Sequence, residues 1–347
     1  MRVLLTGAAG FIGSATAAIL GEAGHDVVGI DAMLPMAHGE TGPPVGIQQL
    51  DVRDAESWPA LLRGVDVVCH QAAVVGAGVK VGDLPLYAAH NDLGTAALLA
   101  AMHDAEVDRL VLASSMVVYG EGRYACAEHG VVVPPPRAAA DLATGRFDPC
   151  CPACGGPLDW ELVTEDARLD PRSAYAASKV AQEHYAAAWA RHAGGAVVAL
   201  RYHNVYGPGM PRDTPYSGVA ALFRSALERG APPTVYEDGR QMRDFVHVAD
   251  VARANLRAVE AVADRPAGAV DAYNVCSGHP VSVGDVARLV AAGHGSGIAP
   301  VVTGDHRPGD VRHVVASPEL AREELGFSAA VSPEVGLAEF AHAPLRD

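Results

Sequence analysis

Three glycines, Gly7, Gly10 and Gly13 in the run Gly7-Ala8-Ala9-Gly10-Phe11-Ile12-Gly13, leave the start of this chain few ways to fold. They follow Val3 to Thr6, an apolar run of strand length. They lead into Phe11 to Glu22, whose pattern predicts a helix. Glycines so placed let the backbone turn tightly and approach a pyrophosphate, whose charge then rests on the N–H groups exposed at the helix start. A second strand, Val27 to Ile30, is followed at once by an acid, Asp31. A carboxylate there accepts hydrogen bonds from the ribose hydroxyls of an adenine dinucleotide and repels a 2′-phosphate, which favours NAD over NADP. The bland alternative is a tight glycine turn with no ligand.

The pattern continues along the chain. Val65 to Cys69 and Leu110 to Ala113 predict buried strands separated by a helix around Asn91 to Met102, and a helix from Arg172 to Arg191 precedes a strand from Val197 to Arg201. Alternation of this kind predicts an α/β fold: a Rossmann-type, doubly wound parallel sheet with helices on both faces. Half the residues are hydrophobic and 5% aromatic, a composition that suits closely packed helices on a sheet. Residues 1–202 form the expected dinucleotide-binding domain. Residues 203–347, with a helix from Gly218 to Arg229, supply most of a smaller C-terminal substrate lobe, and 244–275 return to the first domain. Asp51 and Val52 close a strand where an adenine would lie, and the small Ala72 and Ala73 let a cofactor approach; ordinary packing explains each of these equally well.

With 41 acidic against 26 basic side chains the net charge is −15, and no basic block interrupts it. Phosphate backbones need a basic footprint, so no nucleic-acid partner is expected. No apolar run approaches the roughly 18 residues of a membrane span. The apolar start, Met1 to Gly13, is too short and too glycine-rich for a signal peptide, and a cytoplasmic chain is expected.

Tyr175 and Lys179 stand four positions apart on the helix predicted from Arg172, so both project from one face. An ammonium beside a phenol favours the phenolate, and a cationic nicotinamide acts in the same direction, which makes Tyr175 a candidate general base. Ser114-Ser115-Met116-Val117-Val118-Tyr119-Gly120 closes a parallel strand, where open α/β sheets place their ligands. Ser115 is thereby a candidate to hydrogen-bond a reacting hydroxyl together with Tyr175.

The glycine triplet, Asp31, Ser114 to Gly120 and Tyr175 with Lys179 are joined by Arg201-Tyr202-His203-Asn204-Val205-Tyr206-Gly207-Pro208, by Arg243-Asp244-Phe245-Val246-His247-Val248 and by Arg307-Pro308-Gly309-Asp310. Together and in this order they resemble the extended short-chain dehydrogenase/reductases, in particular the nucleotide-sugar epimerases. The resemblance implies Tyr175 as base, Lys179 on the nicotinamide ribose and Ser115 as the hydroxyl-orienting partner, with Asn91 and Tyr202 among the NAD contacts. It also implies Asn204, Arg243 and Arg307 around a diphosphate, Asp310 near the nucleotide ribose, Tyr236 against a pyrimidine base, and Ser217 and Val219 in the substrate site. Arginine suits such a place because its planar fork pairs with phosphate oxygens two at a time. The family forms dimers through helices of the Rossmann sheet, so a homodimer is implied. His203 and His247 lie within these motifs, where a structural role is expected of them.

Related dehydratases carry an Asp-Glu pair where this chain has Met116 and Val117, and related decarboxylases hold a Glu at the position of Val117. Neither side chain here exchanges protons. A nucleotide-sugar 4-epimerase, working through a transient 4-keto sugar and tightly bound NAD, is therefore the leading expectation. Residues Thr214 to Val219 and the cysteine-bearing insertion resemble the dTDP-L-rhamnose 4-epimerases, and UDP-linked hexoses or uronates stay open. So do a keto-reductase, dehydrogenase or decarboxylase, and a non-catalytic NAD sensor.

Between about 121 and 165 the periodicity stops. Tyr119 and Tyr175 stand 56 positions apart, and the intervening stretch holds four of the six cysteines. Cys126-Ala-Glu-His129 and Cys151-Pro-Ala-Cys154-Gly-Gly each separate two ligands by two residues, the spacing of tetrahedral Zn²⁺ knuckles. Cys126, His129, Cys151 and Cys154 are the expected ligands of a structural zinc. Cys150 can stand in for Cys151 only by giving up that spacing. A four-ligand site is closed to substrate, so the metal is expected to hold the insertion folded, and the insertion to cover the sugar pocket. Free or disulfide-linked cysteines on a loop are the competing reading.

Overall fold

The computed structural model describes residues 1–76, 78, 80–212, 218–307 and 309–346. Seven parallel strands form the central sheet: β1 (Arg2–Thr6), β2 (Asp26–Asp31), β3 (Ile47–Gln49), β4 (Val67–His70), β5 (Arg109–Ser115), β6 (Ala196–Tyr202) and β7 (Val270–Val275). Their spatial order is β3-β2-β1-β4-β5-β6-β7, so the chain reverses direction between β1 and β4. That reversal opens the crevice at the strands' C-terminal ends in which doubly wound sheets bind ligands.

The central strands are apolar over most of their length because both faces of the sheet are covered, while the short edge strand β3 (Ile47-Gln48-Gln49) is not. Alternate side chains feed two cores. Val3, Leu5, Val67, Val111 and Val198 join Leu20 of α1 (Phe11–Glu22) on one face. Leu4, Val68, Leu110 and Val197 join Leu98 of α2 (Gly94–Asp104) and Ala186 of α3 (Ala174–Ala193) on the other. The segment Ala88–Leu93 ahead of α2 winds as a π-turn, a departure that the apolar spacing does not reveal.

After β6 the chain builds a third core around Tyr206, Phe223, Phe245, Val286 and Phe340. It includes α4 (Val219–Glu228), then, after α5 (Val248–Val262), α6 (Val283–His294) and α7 (Pro333–Phe340). Val251 and Val259 of α5, all of β7 and Ala321 to Phe327 pack or pair with the central sheet instead. His247 begins α5, its ring nitrogen accepting the Ala249 N–H at 3.2 Å, which is a capping role.

The insertion leaves the sheet at Gly120 and returns at Asp170, whose N–H donates to the Val118 carbonyl at 2.8 Å. A Cβ at Gly120 would lie 2.3 Å from the Asp170 carbonyl oxygen, so the two stems meet only because this residue is glycine. Between them Arg123–Cys126 pairs antiparallel with both Gly130–Val132 and Asp159–Glu161, giving a small sheet of its own. Among the described residues no helix is long and apolar enough to cross a membrane.

Candidate active site

The glycine turn combines two positions closed off by the protein's own backbone with a third that opens on a cavity. A Cβ on Gly7 would lie 2.7 Å from the Ala72 nitrogen, and one on Gly13 would lie 2.0 Å from the Gly7 carbonyl oxygen. Packing alone forces both. A Cβ on Gly10 would meet nothing nearer than 3.1 Å, yet Gly10 heads α1 and lines a large cavity. The free space over a helix start fits a pyrophosphate. At the end of β2 the Asp31 carboxylate accepts from the N–H groups of Ala9 and Met33, at 3.1 and 2.9 Å, which fixes its orientation at the cavity wall.

That cavity, of about 520 Å³, runs along the C-terminal edge of the sheet. It gathers Gly7, Gly10, Phe11, Ile12, Gly13, Asp31, Asp51, Val52, Ala72 and Ala73 at one end, and Ser115, Tyr175, Lys179, Tyr202, Asn204, Val219 and Arg307 elsewhere on its wall. The Asn204 side-chain oxygen is buried with no hydrogen-bond partner among the described residues, an acceptor waiting for a donor. Ser217 lies outside the described residues.

Four expected contacts lie off this cavity. The Asn91 amide is wholly engaged: it accepts from the Val74 N–H at 2.7 Å and donates to the Val74 carbonyl and the Ser178 hydroxyl, both at 2.9 Å. A direct cofactor contact is replaced by one that pins the loop after β4. Arg243 donates to the carbonyls of Met242 and Arg312 at 2.8 Å and of Val311 at 2.7 Å, so much of its fork is directed at backbone. Asp310 is exposed, and its carbonyl accepts from Arg137 at 2.6 Å. Tyr236 lines a second, smaller cavity, where the Arg307 guanidinium lies 4.9 Å from its ring centroid.

At the reacting end, Ser173 caps α3 by accepting the Ala176 N–H at 3.2 Å, and the helix then presents Tyr175 and Lys179 to the end of β5. Lys179 Nζ donates to the Ala113 carbonyl at 2.8 Å and lies 5.9 Å from the Tyr175 ring centroid. Burial raises the Tyr175 phenol above its ordinary range, opposed by a hydrogen bond with Ser115. Burial also draws the Lys179 ammonium down to about 7, against the pull of Glu183. In the cofactor-free chain desolvation is the largest influence on both groups, with the Ser115 hydrogen bond favouring the phenolate, the direction in which a cationic nicotinamide would also act.

Behind these residues lies a buried network that the sequence motifs only hint at. Arg201 grips Glu183 through two hydrogen bonds, at 3.0 and 2.8 Å, and Ser114 donates to the same carboxylate. Arg201 also reaches the Tyr119 hydroxyl at 2.9 Å, and that hydroxyl donates to Asn274 at 2.7 Å. The network ties β5, α3, β6 and β7 together beside the reacting end.

Two further residues on the cavity wall carried no signal in the sequence. His38 pairs with Asp31 at 3.3 Å, and Arg346, second from the C-terminus, donates to the Ala9 carbonyl at 2.7 Å. Only tertiary folding brings the end of the chain back to the glycine turn.

In the insertion, Cys126 Sγ lies 3.5 Å from His129 Nδ1 and 3.8 Å from Cys154 Sγ, and Cys151 Sγ lies 3.7 Å from the same His129 nitrogen. All four donor atoms lie within 4.8 Å of one another. Ligands at about 2.3 Å (sulfur) and about 2.0 Å (nitrogen) from a tetrahedral centre stand about 3.8 Å apart for two sulfurs and about 3.5 Å for sulfur and nitrogen. The three separations of 3.5, 3.7 and 3.8 Å are close to the edges of such a tetrahedron. Cys150 is exposed and outside it.

The sequence pattern of the NAD dependent epimerase/dehydratase family matches residues 3–137 and 152–276. The chain is 35% identical over 351 residues to a dTDP-L-rhamnose 4-epimerase from Burkholderia thailandensis, covering 97% of this chain and 93% of that one. It is 32% identical to a UDP-glucose 4-epimerase from Mycolicibacterium smegmatis, covering 98% and 96%. Among solved structures it resembles a UDP-glucose 4-epimerase from Thermus thermophilus in complex with NAD, with TM-score 0.74, 32% identity and coverage of 99% and 100%. It also resembles one from Thermotoga maritima with UDP-glucose, with TM-score 0.78, 28% identity and coverage of 98% and 97%.

Proposed function

We propose, on the premise that this chain belongs to the NAD dependent epimerase/dehydratase family, that it inverts C4 of a nucleotide-linked sugar through a transient 4-keto intermediate. The observation that carries this reading is the chemistry of the reacting end of the large cavity. Ser115 and Tyr175 stand there beside Met116 and Val117. Among the described residues the carboxylates lining the cavity are Asp31 and Asp51, which belong to its other end. Asp31 ends β2, three strands from Ser115 at the end of β5, a separation of about 14 Å. Water elimination needs an acid and a base beside the keto-sugar. This end of the pocket has no carboxylate to serve as that second proton-transfer pair beside Tyr175, so reduction back to an alcohol is the step this chemistry favours.

NAD held in this cavity would supply the oxidant, a hydride acceptor for the hydrogen on C4 and the donor of the same hydride on its return. Tyr175 takes the proton of the C4 hydroxyl, with the Ser115 hydroxyl holding the same oxygen. Lys179, fixed by the Ala113 carbonyl, orients the cofactor ribose, and Asn204 and Arg307 hold the diphosphate. Apolar Met116 and Val117 offer the sugar no polar grip, which would allow the keto-sugar to turn over so that hydride returns to its other face while Tyr175 gives its proton back to the oxygen. The expected outcome, with dTDP-L-rhamnose and UDP-glucose supplied separately and followed by proton NMR, is a C4-epimer formed without added cofactor. Tyr175→Phe should abolish turnover while keeping NAD bound. Product formation that consumes stoichiometric NADH would identify a reductase instead.

The insertion's four-ligand cluster has the donor set and edge lengths of a structural Zn²⁺ site. With all four positions taken by protein, such a metal holds the two knuckles together and contributes no chemistry to the sugar. Elemental analysis of protein purified without chelator should give one zinc per chain, and its absence would remove this part of the reading.

A further inference from the structure

We infer that the cysteine-bearing insertion forms the outer wall of the nucleotide pocket, so that it governs affinity for the nucleotide half of the substrate without touching the cofactor. The inference rests on the nucleotide-sugar reading above, and it moves the insertion from the sugar, where the sequence suggested it, to the opposite end of the substrate.

The second cavity, of about 430 Å³, is where the two parts of the molecule meet. Leu142 and Ala143 of the insertion face Tyr236, Asp305, His306 and Arg307 across it. Arg307 also lines the large cavity, so the two spaces share a cationic side chain. A diphosphate passing Arg307 joins a sugar in the first space to a base in the second. The flat face of a pyrimidine suits a space bounded by an aromatic ring on one side and the aliphatic Leu142 and Ala143 on the other.

Ion pairs fasten the insertion to both segments that carry the pocket, Arg137–Glu237 buried on both sides and Asp148–Arg312 with its carboxylate exposed. Arg137 pairs with Glu237 at 2.8 Å and donates to the Asp310 carbonyl at 2.6 Å. Asp148 accepts from Arg312 at 2.7 Å, and Arg312, which has no exposure, also holds Glu237 and Asp238 at 2.8 Å. Glu237 and Asp238 follow Tyr236 directly, and Asp310 and Arg312 follow Arg307 within five positions. The stance of both pocket side chains thus depends on the insertion. No residue between 121 and 165 lines the large cavity among those described, so the cofactor end is independent of it.

Two variants test this with UDP and dTDP as probes. Ala143→Trp fills the second cavity from an exposed position, and Arg137→Met cuts one anchor; titration calorimetry reads nucleotide affinity, and released cofactor is counted by absorbance. Ala143→Trp should weaken the better of the two nucleotides at least tenfold, and Arg137→Met severalfold, with NAD content as in the wild type. Unchanged affinity in both variants overturns the inference, and so does a parallel loss of NAD, which would mean general damage. A wild-type protein that binds neither UDP nor dTDP sinks the nucleotide-sugar reading itself, a result distinct from wild-type binding that the variants leave intact.

Discussion

Lys179 illustrates how much of a residue's chemistry is set by what surrounds it. Its spacing from Tyr175 places both on one helical face, but burial determines its charge, drawing the ammonium from 10.5 to about 7. Between those two values the unfolded chain keeps a proton that the folded chain has shed, so this residue's contribution to the stability of the NAD-free protein increases as pH rises. Urea denaturation at pH 7 and pH 9.5 should show wild type gaining stability relative to Lys179→Met at the higher pH. A relative loss would show that the lysine stays charged in the fold. Asn91 makes the complementary point. A family motif marks the residue, whereas its three hydrogen bonds to Val74 and Ser178 assign it to the wall behind the cavity. Nothing in one sequence distinguishes a polar side chain that faces a ligand from one that faces a loop.

At the scale of elements, periodicity located the sheet because a strand covered on both faces must be apolar at every position, and a helix on that sheet at every third or fourth. Where those conditions relax, the pattern fades. The π-turn at Ala88–Leu93 and the short edge strand β3 carry little apolar signal. The network joining four elements at the reacting end is equally silent, since nothing in the spacing of Glu183 and Arg201 couples them until the fold brings both into the interior. Removing one partner of such a pair leaves an uncompensated charge, at a cost of about 3–5 kcal/mol. Arg201→Met should lower unfolding free energy by about that amount in chemical denaturation. A loss below about 1 kcal/mol, the range of exposed pairs, would mean that water reaches Glu183 in solution.

The whole molecule adds relations that no local window contains. α5, β7 and Ala321 to Phe327 return to the central sheet after the third core has begun, because the sheet still has an edge and a face to cover. The outer side of the elements around α3 remains apolar. Leu84, Leu93 and Tyr185 are each about half exposed there, which fits the homodimer that the family resemblance implies. Light scattering should give a mass near two chains for the wild type and near one for the pair Leu93→Arg and Tyr185→Glu; a wild-type monomer would discard the dimer. The tight glycine turn, the shared helix face of Tyr175 and Lys179 and the two-residue spacing within each cysteine knuckle were legible in the sequence, because each depends on geometry that acts within a few residues. The positions of Arg346 beside Ala9, of Arg312 among three acids and of Leu142 opposite Tyr236 were not. These join residues far apart in the chain, and their contacts exist only once burial has drawn distant segments into one low-dielectric interior where every charge needs a partner.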